Sequence, residues 1–453
     1  MSDLSSVVKA YDVRGTVPDQ LNDAIAHAFG AAFVQVLRER GEDARRVVVA
    51  HDMRESSPVL SEAFMDGARQ AGADVVAAGL GSTDLLYYAS GALGVPGAMF
   101  TASHNPARYN GMKLCRSGAR PIGQETGLVE VRDRAQAILD GAPVGDVRGA
   151  VERRELLPAY ARHLRTLVDL RTIRPLTVVV DAGNGMAGYT VPAVLGDLPL
   201  KVIPLYFELD GTFPNHEANP LEPANLVDLQ RAVREHGADL GLAFDGDADR
   251  CFVVDERGGA VSPSAITALV AVRELAKHPG ATVIHNLITS RAVAEIVHEN
   301  GGVPVRTRVG HSFIKAEMAR TGAVFGGEHS AHYYFRDFWY ADTGLLAAMH
   351  VLAALGGQDR PLSELAERYV RYAASGEINS TVPDAAAKLT EVEKSFDGAD
   401  VDHLDGLTLT FPDGSWANLR PSNTEPLLRL NVEAPTGQRM AQLRDQVLSI
   451  VRS

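Results

Sequence analysis

The chain has 453 residues, 45% of them hydrophobic and 22% charged, with a formal net charge of −13. That length exceeds one compact core and points to three or four domains, at roughly 100 to 200 residues each. The acidic balance argues against a nucleic-acid binder or a basic membrane-surface protein, which need a positive field, and a small anionic ligand would need a locally basic pocket.

The start, MSDLSSVVKAYDVRG, lacks the basic-then-apolar order of a leader peptide, and no run reaches the ~18 apolar residues of a membrane span. Within it YDVRG places Tyr11 and Arg14 near the N-terminus, where a lone arginine reads first as a surface residue. The run RRVVVAHDMR from Arg45 predicts a buried strand, followed by ADVVAAGL and then by GAMFTASHNP. The same order recurs as PLTVVVDAGNGMAG, KVIPLYFEL and GADLGLAFDGDADR, and again as ATVIHNLITSRAV, PVRTRVG and GAVFGGEHSAH. Three related α/β units follow, each with a polar loop beyond its third strand, where open α/β sheets bind ligands. Gly344 to Gly357 predicts a buried helix. Beyond it, PLSELAERYVRYAA has a helical pattern and LTLTFPDGSWANLRPSNTEPLLRLNVEA predicts an antiparallel sheet, together a separate α+β domain. Cys115 and Cys251 have neither metal nor redox spacing, which fits a reduced, cytoplasmic setting.

The polar loops carry the chemistry. TASHNP sets Ser103 and His104 in a Pro-terminated turn, where a serine is as readily a local hydrogen-bonder as a nucleophile. Lys113, in the following NGMK, offers a cation or a proton-transfer group, or a solvated surface lysine. DGDADR spaces Asp245, Asp247 and Asp249 so that all three carboxylates can face one hard cation such as magnesium, with Arg250 beside them for a phosphate. An EF-hand reading fails on Arg250 at the turn position that needs glycine and on strand-like flanks. GGEHSAH offers Glu328, Ser330 and His332 at alternate positions, which share a face if the segment is extended. GHSFIK adds His311 and Lys315. RPSNTEP gathers Arg420, Ser422, Asn423 and Thr424 between two prolines with Arg429 beyond, a donor set matched to phosphate oxygens.

In this order YDVRG, TASHNP, DGDADR, GGEHSAH and RPSNTEP closely resemble the α-D-phosphohexomutase superfamily over nearly the whole chain, and most of all its phosphomannomutase/phosphoglucomutase branch. The resemblance implies three α/β/α domains with mixed sheets and a C-terminal α+β domain around a central cleft, divided at 1–145, 146–256, 257–360 and 361–453. It implies that Ser103 is the phosphorylated serine, and that Asp245, Asp247 and Asp249, with that serine, hold Mg2+. Glu328, Ser330 and His332 would recognise the sugar, and Arg420, Ser422, Asn423, Thr424 and Arg429 the phosphate that is not transferred. Tyr11, Arg14, His104, Lys113, Arg250, His311 and Lys315 match supporting positions. Some relatives carry a lysine where this chain has Ile288, which leaves Lys113 and His311 as acid/base candidates. The activity implied interconverts mannose 6-phosphate and mannose 1-phosphate, and also glucose phosphates, with glucose 1,6-bisphosphate or mannose 1,6-bisphosphate as activator. The alternatives are a phosphoglucosamine mutase and a non-catalytic phosphosugar-binding protein. Hexose monophosphates are the expected partners, with no nucleic acid and no membrane, in a monomer or homodimer.

Overall fold

The computed structural model of the chain describes residues 4–421 and 427–453. Its first sheet holds β1 (Val13–Thr16), β2 (Arg46–His51), β3 (Asp74–Leu80), β4 (Gly97–Phe100), β5 (Tyr109–Arg116), β6 (Arg120–Pro121) and β7 (Val151–Arg153), in the order β1-β5-β4-β2-β3-β7 with β6 on β5. The second holds β8 (Leu176–Asp181), β9 (Leu200–Leu205), β10 (Leu240–Phe244), β11 (Cys251–Asp255) and β12 (Ala260–Val261), in the order β12-β11-β10-β8-β9. Both sheets are mixed: β2 runs parallel to β3 and β4 while β5 is antiparallel to β4, and β8 runs parallel to β9 and β10 while β11 is antiparallel to β10. The uninterrupted apolar strands follow from helices on the sheet faces. Val47, Val48, Val49 and Ala50 are all buried, so neither side of β2 needs polar residues.

The third set of strands comprises β13 (Thr282–Asn286), β14 (Val303–Thr307) and β15 (Phe325–Gly327), with β13 parallel to both others, and β16 (Tyr333–Phe335) paired antiparallel with β17 (Ala341–Asp342). The last sheet is antiparallel, β18 (Ala373–Thr381), β22 (Leu427–Ala434), β21 (Trp416–Pro421), β20 (Leu407–Thr410) and β19 (Asp400–Asp402) in that order, with the helices Ala385–Ser395 and Gly437–Val451 completing an α+β domain. Leu409, Leu419, Leu430, Leu443 and Val447 form its core. By backbone proximity the chain divides into one compact unit of Met1–Val261 with Ser330–Ser363 and another of Ser262–His329 with Glu364–Ser453.

Two sequence expectations change. The helical pattern of PLSELAERYVRYAA yields a helix only at Leu362–Glu367, and Ala373 already begins β18. The helix closes in a turn, with the Tyr369 amide donating to the Ala366 carbonyl at 2.9 Å and the Val370 amide to the Glu367 carbonyl at 3.2 Å, and Tyr372 is anchored by its hydroxyl, which donates to Glu295 at 2.6 Å. GGEHSAH is not extended throughout: β15 ends at Gly327, and a turn with Ala331 at φ +63° separates it from β16. The buried helix after residue 343 is present as Gly344–Gly356, its N-terminus capped by Thr343. No helix among the described residues is long and apolar enough to cross a membrane.

Candidate active site

The Ser103 loop leaves the end of β4 and the DGDADR loop joins β10 to β11, so both lie beyond the carboxyl ends of strands in parallel register with their neighbours. They meet directly. Ser103 Oγ donates to Asp245 Oδ2 at 2.7 Å and lies 3.2 Å from His104 Nδ1. Ser103 sits at φ +50°, a left-handed conformation costly for a residue with a Cβ. What holds it there is local: its amide donates to Thr101 Oγ1 at 2.9 Å, and its carbonyl accepts from Arg54 Nη2 at 2.8 Å. A Cβ on Gly246 would lie 2.3 Å from the Ser103 carbonyl oxygen, so only glycine lets the two loops approach this closely.

Asp245, Asp247 and Asp249 are all buried, with one oxygen from each inside a 4.8 Å cluster. Arg250 donates to Asp245 Oδ2 through Nε at 3.0 Å and Nη2 at 2.8 Å, and Nη2 also reaches His104 Nδ1 at 2.6 Å. Lys113 Nζ bridges Asp247 Oδ2 and Asp249 Oδ2 at 2.6 Å each, and Thr83 Oγ1 donates to Asp247 Oδ2 at 2.6 Å. The other oxygens, Asp247 Oδ1 and Asp249 Oδ1, are buried and take no hydrogen bond from the described residues. Two such oxygens beside Asp245 are costly unless a cation meets them, so the donor set, all hard carboxylate oxygen, fits Mg2+.

The charges are mutually arranged. Burial pushes the Asp245 carboxyl up, only partly opposed by Arg250, whereas at Asp247 the pull of Lys113 and the hydrogen bonds of Lys113 and Thr83 overcome burial and hold the group well below the usual carboxylate range. Burial opposes the charge on Lys113 too, but Asp247 and Asp249 outweigh it, so its pKa lies well above the ordinary lysine value and the group is an ammonium. His104 is driven well below its ordinary value by burial and by Arg250 and Arg14, which makes it a neutral imidazole.

Arg14 is half-buried, not a surface arginine. It pairs with Asp12 at 2.7 Å and donates to the Ala102 carbonyl at 3.4 Å and to Asn105 Oδ1. Tyr11 is half-buried just before β1. Ser330 Oγ lies 2.9 Å from His332 Nδ1, and His332 Nε2 lies 3.6 Å from Asp249 Oδ1, which adds the last histidine of GGEHSAH to this cluster.

The second compact unit brings together its own group. Glu328 is buried; its Oε1 accepts from Asn286 Nδ2 at 3.2 Å and from the Gly310 amide at 3.2 Å, immediately before the helix His311–Thr321 that carries His311 and the buried Lys315. Arg420 and Arg429 lie opposite each other on β21 and β22, and both reach Glu377, at 3.5 and 3.3 Å. Burial lowers the pKa of Arg420, with Asp405, Glu377 and Glu328 acting against it. Ser422, Asn423 and Thr424 lie outside the described residues.

Sequence reasoning missed the supports. Arg54 is buried and donates to four carbonyls of the serine loop, those of Ser103, Asn105, Pro106 and Tyr109, while pairing with Asp52 at 3.3 Å. Thr83 is buried with its hydroxyl on Asp247, and Asp84, next in the chain, is buried too. None belongs to a motif with a spacing of its own; HDMRESS, six of whose seven residues are polar directly at the end of a buried strand, is the one available signal.

A multidomain α/β protein with a strained serine pressed against a buried carboxylate trio has the parts of a phosphoryl-transfer enzyme. The models for phosphoglucomutase/phosphomannomutase α/β/α domains I, II and III match residues 5–139, 158–259 and 262–372, and that for the C-terminal domain matches 377–450. The chain belongs to the phosphoglucomutase/phosphomannomutase family. It is 43% identical over 446 residues to phosphohexose mutases of Xanthomonas campestris pv. campestris, covering 97% of this chain and 98% of the relative. It is 41% identical over 451 residues to a phosphomannomutase of Escherichia coli K12, covering 97% of each. Among solved structures it resembles a phosphoglucomutase/phosphomannomutase family protein from Burkholderia thailandensis, with a TM-score of 0.90 at 33% identity over 100% of this chain and 98% of the other.

Proposed function

We propose that the protein is a phosphomannomutase that also accepts glucose phosphates, moving a phosphoryl group between the 6- and 1-positions through Ser103. The observation that carries this reading is the contact of Ser103 Oγ with Asp245 at 2.7 Å inside a trio that leaves two buried carboxylate oxygens for a cation. Relatives at about this identity are named phosphomannomutase and phosphohexose mutases.

In the reaction, phospho-Ser103 presents its phosphoryl group to the free hydroxyl of a hexose monophosphate. The bond to Oγ breaks as the bond to the sugar oxygen forms, giving a hexose 1,6-bisphosphate. The intermediate turns over, and its other phosphoryl group returns to Oγ. Asp245, Asp247, Asp249 and the serine phosphate would hold Mg2+, which supplies positive charge against the phosphoryl oxygens. Arg250 and the Lys113 ammonium add fixed positive charge at the same place. Because Lys113 is held as an ammonium, it does not take up the hydroxyl proton, and His311 is the assigned base. Glu328 and Ser330 bind the sugar through hydroxyls whose positions interchange when C1 and C6 do, the 3- and 4-hydroxyls, and contacts there do not read C2, where mannose and glucose differ. Arg420 and Arg429, with Ser422, Asn423 and Thr424, grip the phosphate that stays. A hexose 1,6-bisphosphate phosphorylates Ser103 at the outset.

Mutase activity on mannose 1-phosphate, glucose 1-phosphate and glucosamine 1-phosphate, with Mg2+ and a trace of glucose 1,6-bisphosphate, tests this directly. Turnover of the first two that collapses in Ser103→Ala is expected. Turnover of the amino sugar alone would move the enzyme to phosphoglucosamine, and no turnover of any would leave a phosphosugar-binding protein.

A further inference from the structure

Asp84 is buried at the second position of the helix Thr83–Leu93, far in sequence from every motif above. Its carboxylate accepts from the hydroxyls of three separate elements. Tyr160, on the helix Leu157–Leu167, donates to Oδ2 at 2.6 Å; Thr343, the cap of the helix Gly344–Gly356, donates to Oδ2 at 2.7 Å; and Ser82, the cap of its own helix, donates to Oδ1. Immediately before it, Thr83 grips the metal loop twice: its amide donates to the Asp247 carbonyl at 3.1 Å and its Oγ1 to Asp247 Oδ2 at 2.6 Å. Together with Lys113, these bonds hold Oδ2 and leave Oδ1 as the oxygen without a hydrogen bond. Hydroxyl donors converging on a buried carboxylate make a rigid junction, since each unmade bond there would be costly.

We propose that Asp84 is a positioning residue for the carboxylate trio: it fastens the start of the helix Thr83–Leu93 to two other helices, so that Thr83 orients Asp247 toward the cation. This rests on the reading of the trio as a Mg2+ site. Partners that orient a metal ligand govern affinity as well as geometry.

The test is Mg2+ binding to the full chain by calorimetry, with thermal unfolding in parallel, for Asp84→Ala, Thr83→Val and the double variant. Each single change is expected to weaken Mg2+ binding about tenfold, and the double variant to bind no more weakly than the poorer single, because both act through one bond to Asp247. Should Asp84→Ala not fold, Asp84→Asn, which keeps the shape and loses the charge, replaces it in the same cycle. A lower melting temperature with unchanged Mg2+ affinity would reduce Asp84 to a structural role, and losses that multiply in the double variant would contradict action through Thr83. An unaltered protein that binds no Mg2+ would remove the metal reading itself, and this proposal with it.

Discussion

A guanidinium has five donors in one plane, and Arg54 turns its two terminal nitrogens onto four carbonyl oxygens of the serine loop. The carbonyls belong to residues 103 to 109, so the arginine fixes the path of the chain on both sides of Ser103 Oγ. Its charge is matched by Asp52, which in turn accepts from Ser57 Oγ at 2.6 Å and from the Arg54 amide at 3.0 Å. Arg54→Met would leave Asp52 as an unpaired buried carboxylate and is expected to cost about 3 to 5 kcal/mol of stability. Arg54→Lys keeps the charge but not the fork; a fall of about 100-fold in kcat is expected from displacement of the serine. Denaturant unfolding and steady-state kinetics check the two, and a lysine variant with unaltered kcat would show that the loop holds itself. Such a residue is not visible in a sequence, because its meaning lies in where four backbone oxygens converge. The three aspartates were legible because their spacing alone forces repulsion that only a cation or fixed positive charge relieves.

At the scale of elements, the local chemistry of the serine turn decides its conformation against the preference of its own backbone. Ser103 is held at φ +50°, a region in which any Cβ is strained and glycine is not. Ser103→Gly and Ser103→Ala lose the same hydroxyl, so the difference between them isolates the strain. The glycine variant is expected to be the more stable by about 1 kcal/mol, less a few tenths for its freer unfolded chain, as measured by thermal unfolding. Equal stability, or an advantage for alanine, would mean that the turn relaxes once the hydroxyl is gone. Strand patterns hold where neighbours enforce them, as in the apolar flanks of DGDADR, which form β10 and β11. They misled in GGEHSAH, where a left-handed Ala331 that composition does not announce turns the chain. PLSELAERYVRYAA failed for the related reason that its last residues, from Ala373, enter a strand, β18, whose partner β22 lies some 50 residues further on.

At the scale of the molecule, the threefold order of strands was legible because each repeat must bury an equivalent parallel core, and the loops after β4, β10 and β15 occupy the same place in each. What the sequence did not announce is that the compact units cut across that repeat, with residues 262–329 grouped with the C-terminal sheet and residues 330–363 with the first two sheets. The chemistry divides accordingly: Ser103, the carboxylate trio, Arg250 and Lys113 belong to one unit, and Glu328, His311, Lys315, Arg420 and Arg429 to the other. One unit therefore holds the serine, the carboxylate trio and the fixed positive charges assigned to the phosphoryl transfer, and the other holds the assigned base, His311, with most of the groups assigned to the sugar and the remaining phosphate. The central claim is that Ser103 both gives and takes the phosphoryl group. It is tested most directly by incubating the protein with Mg2+ and glucose 1,6-bisphosphate labelled in its phosphates, mapping the label by peptide, and chasing with unlabelled mannose 6-phosphate. Label on the peptide containing Ser103, absent in Ser103→Ala and discharged by the chase into hexose bisphosphate and then mannose 1-phosphate, is the predicted result. Label on another residue, or discharge as free phosphate, would contradict it.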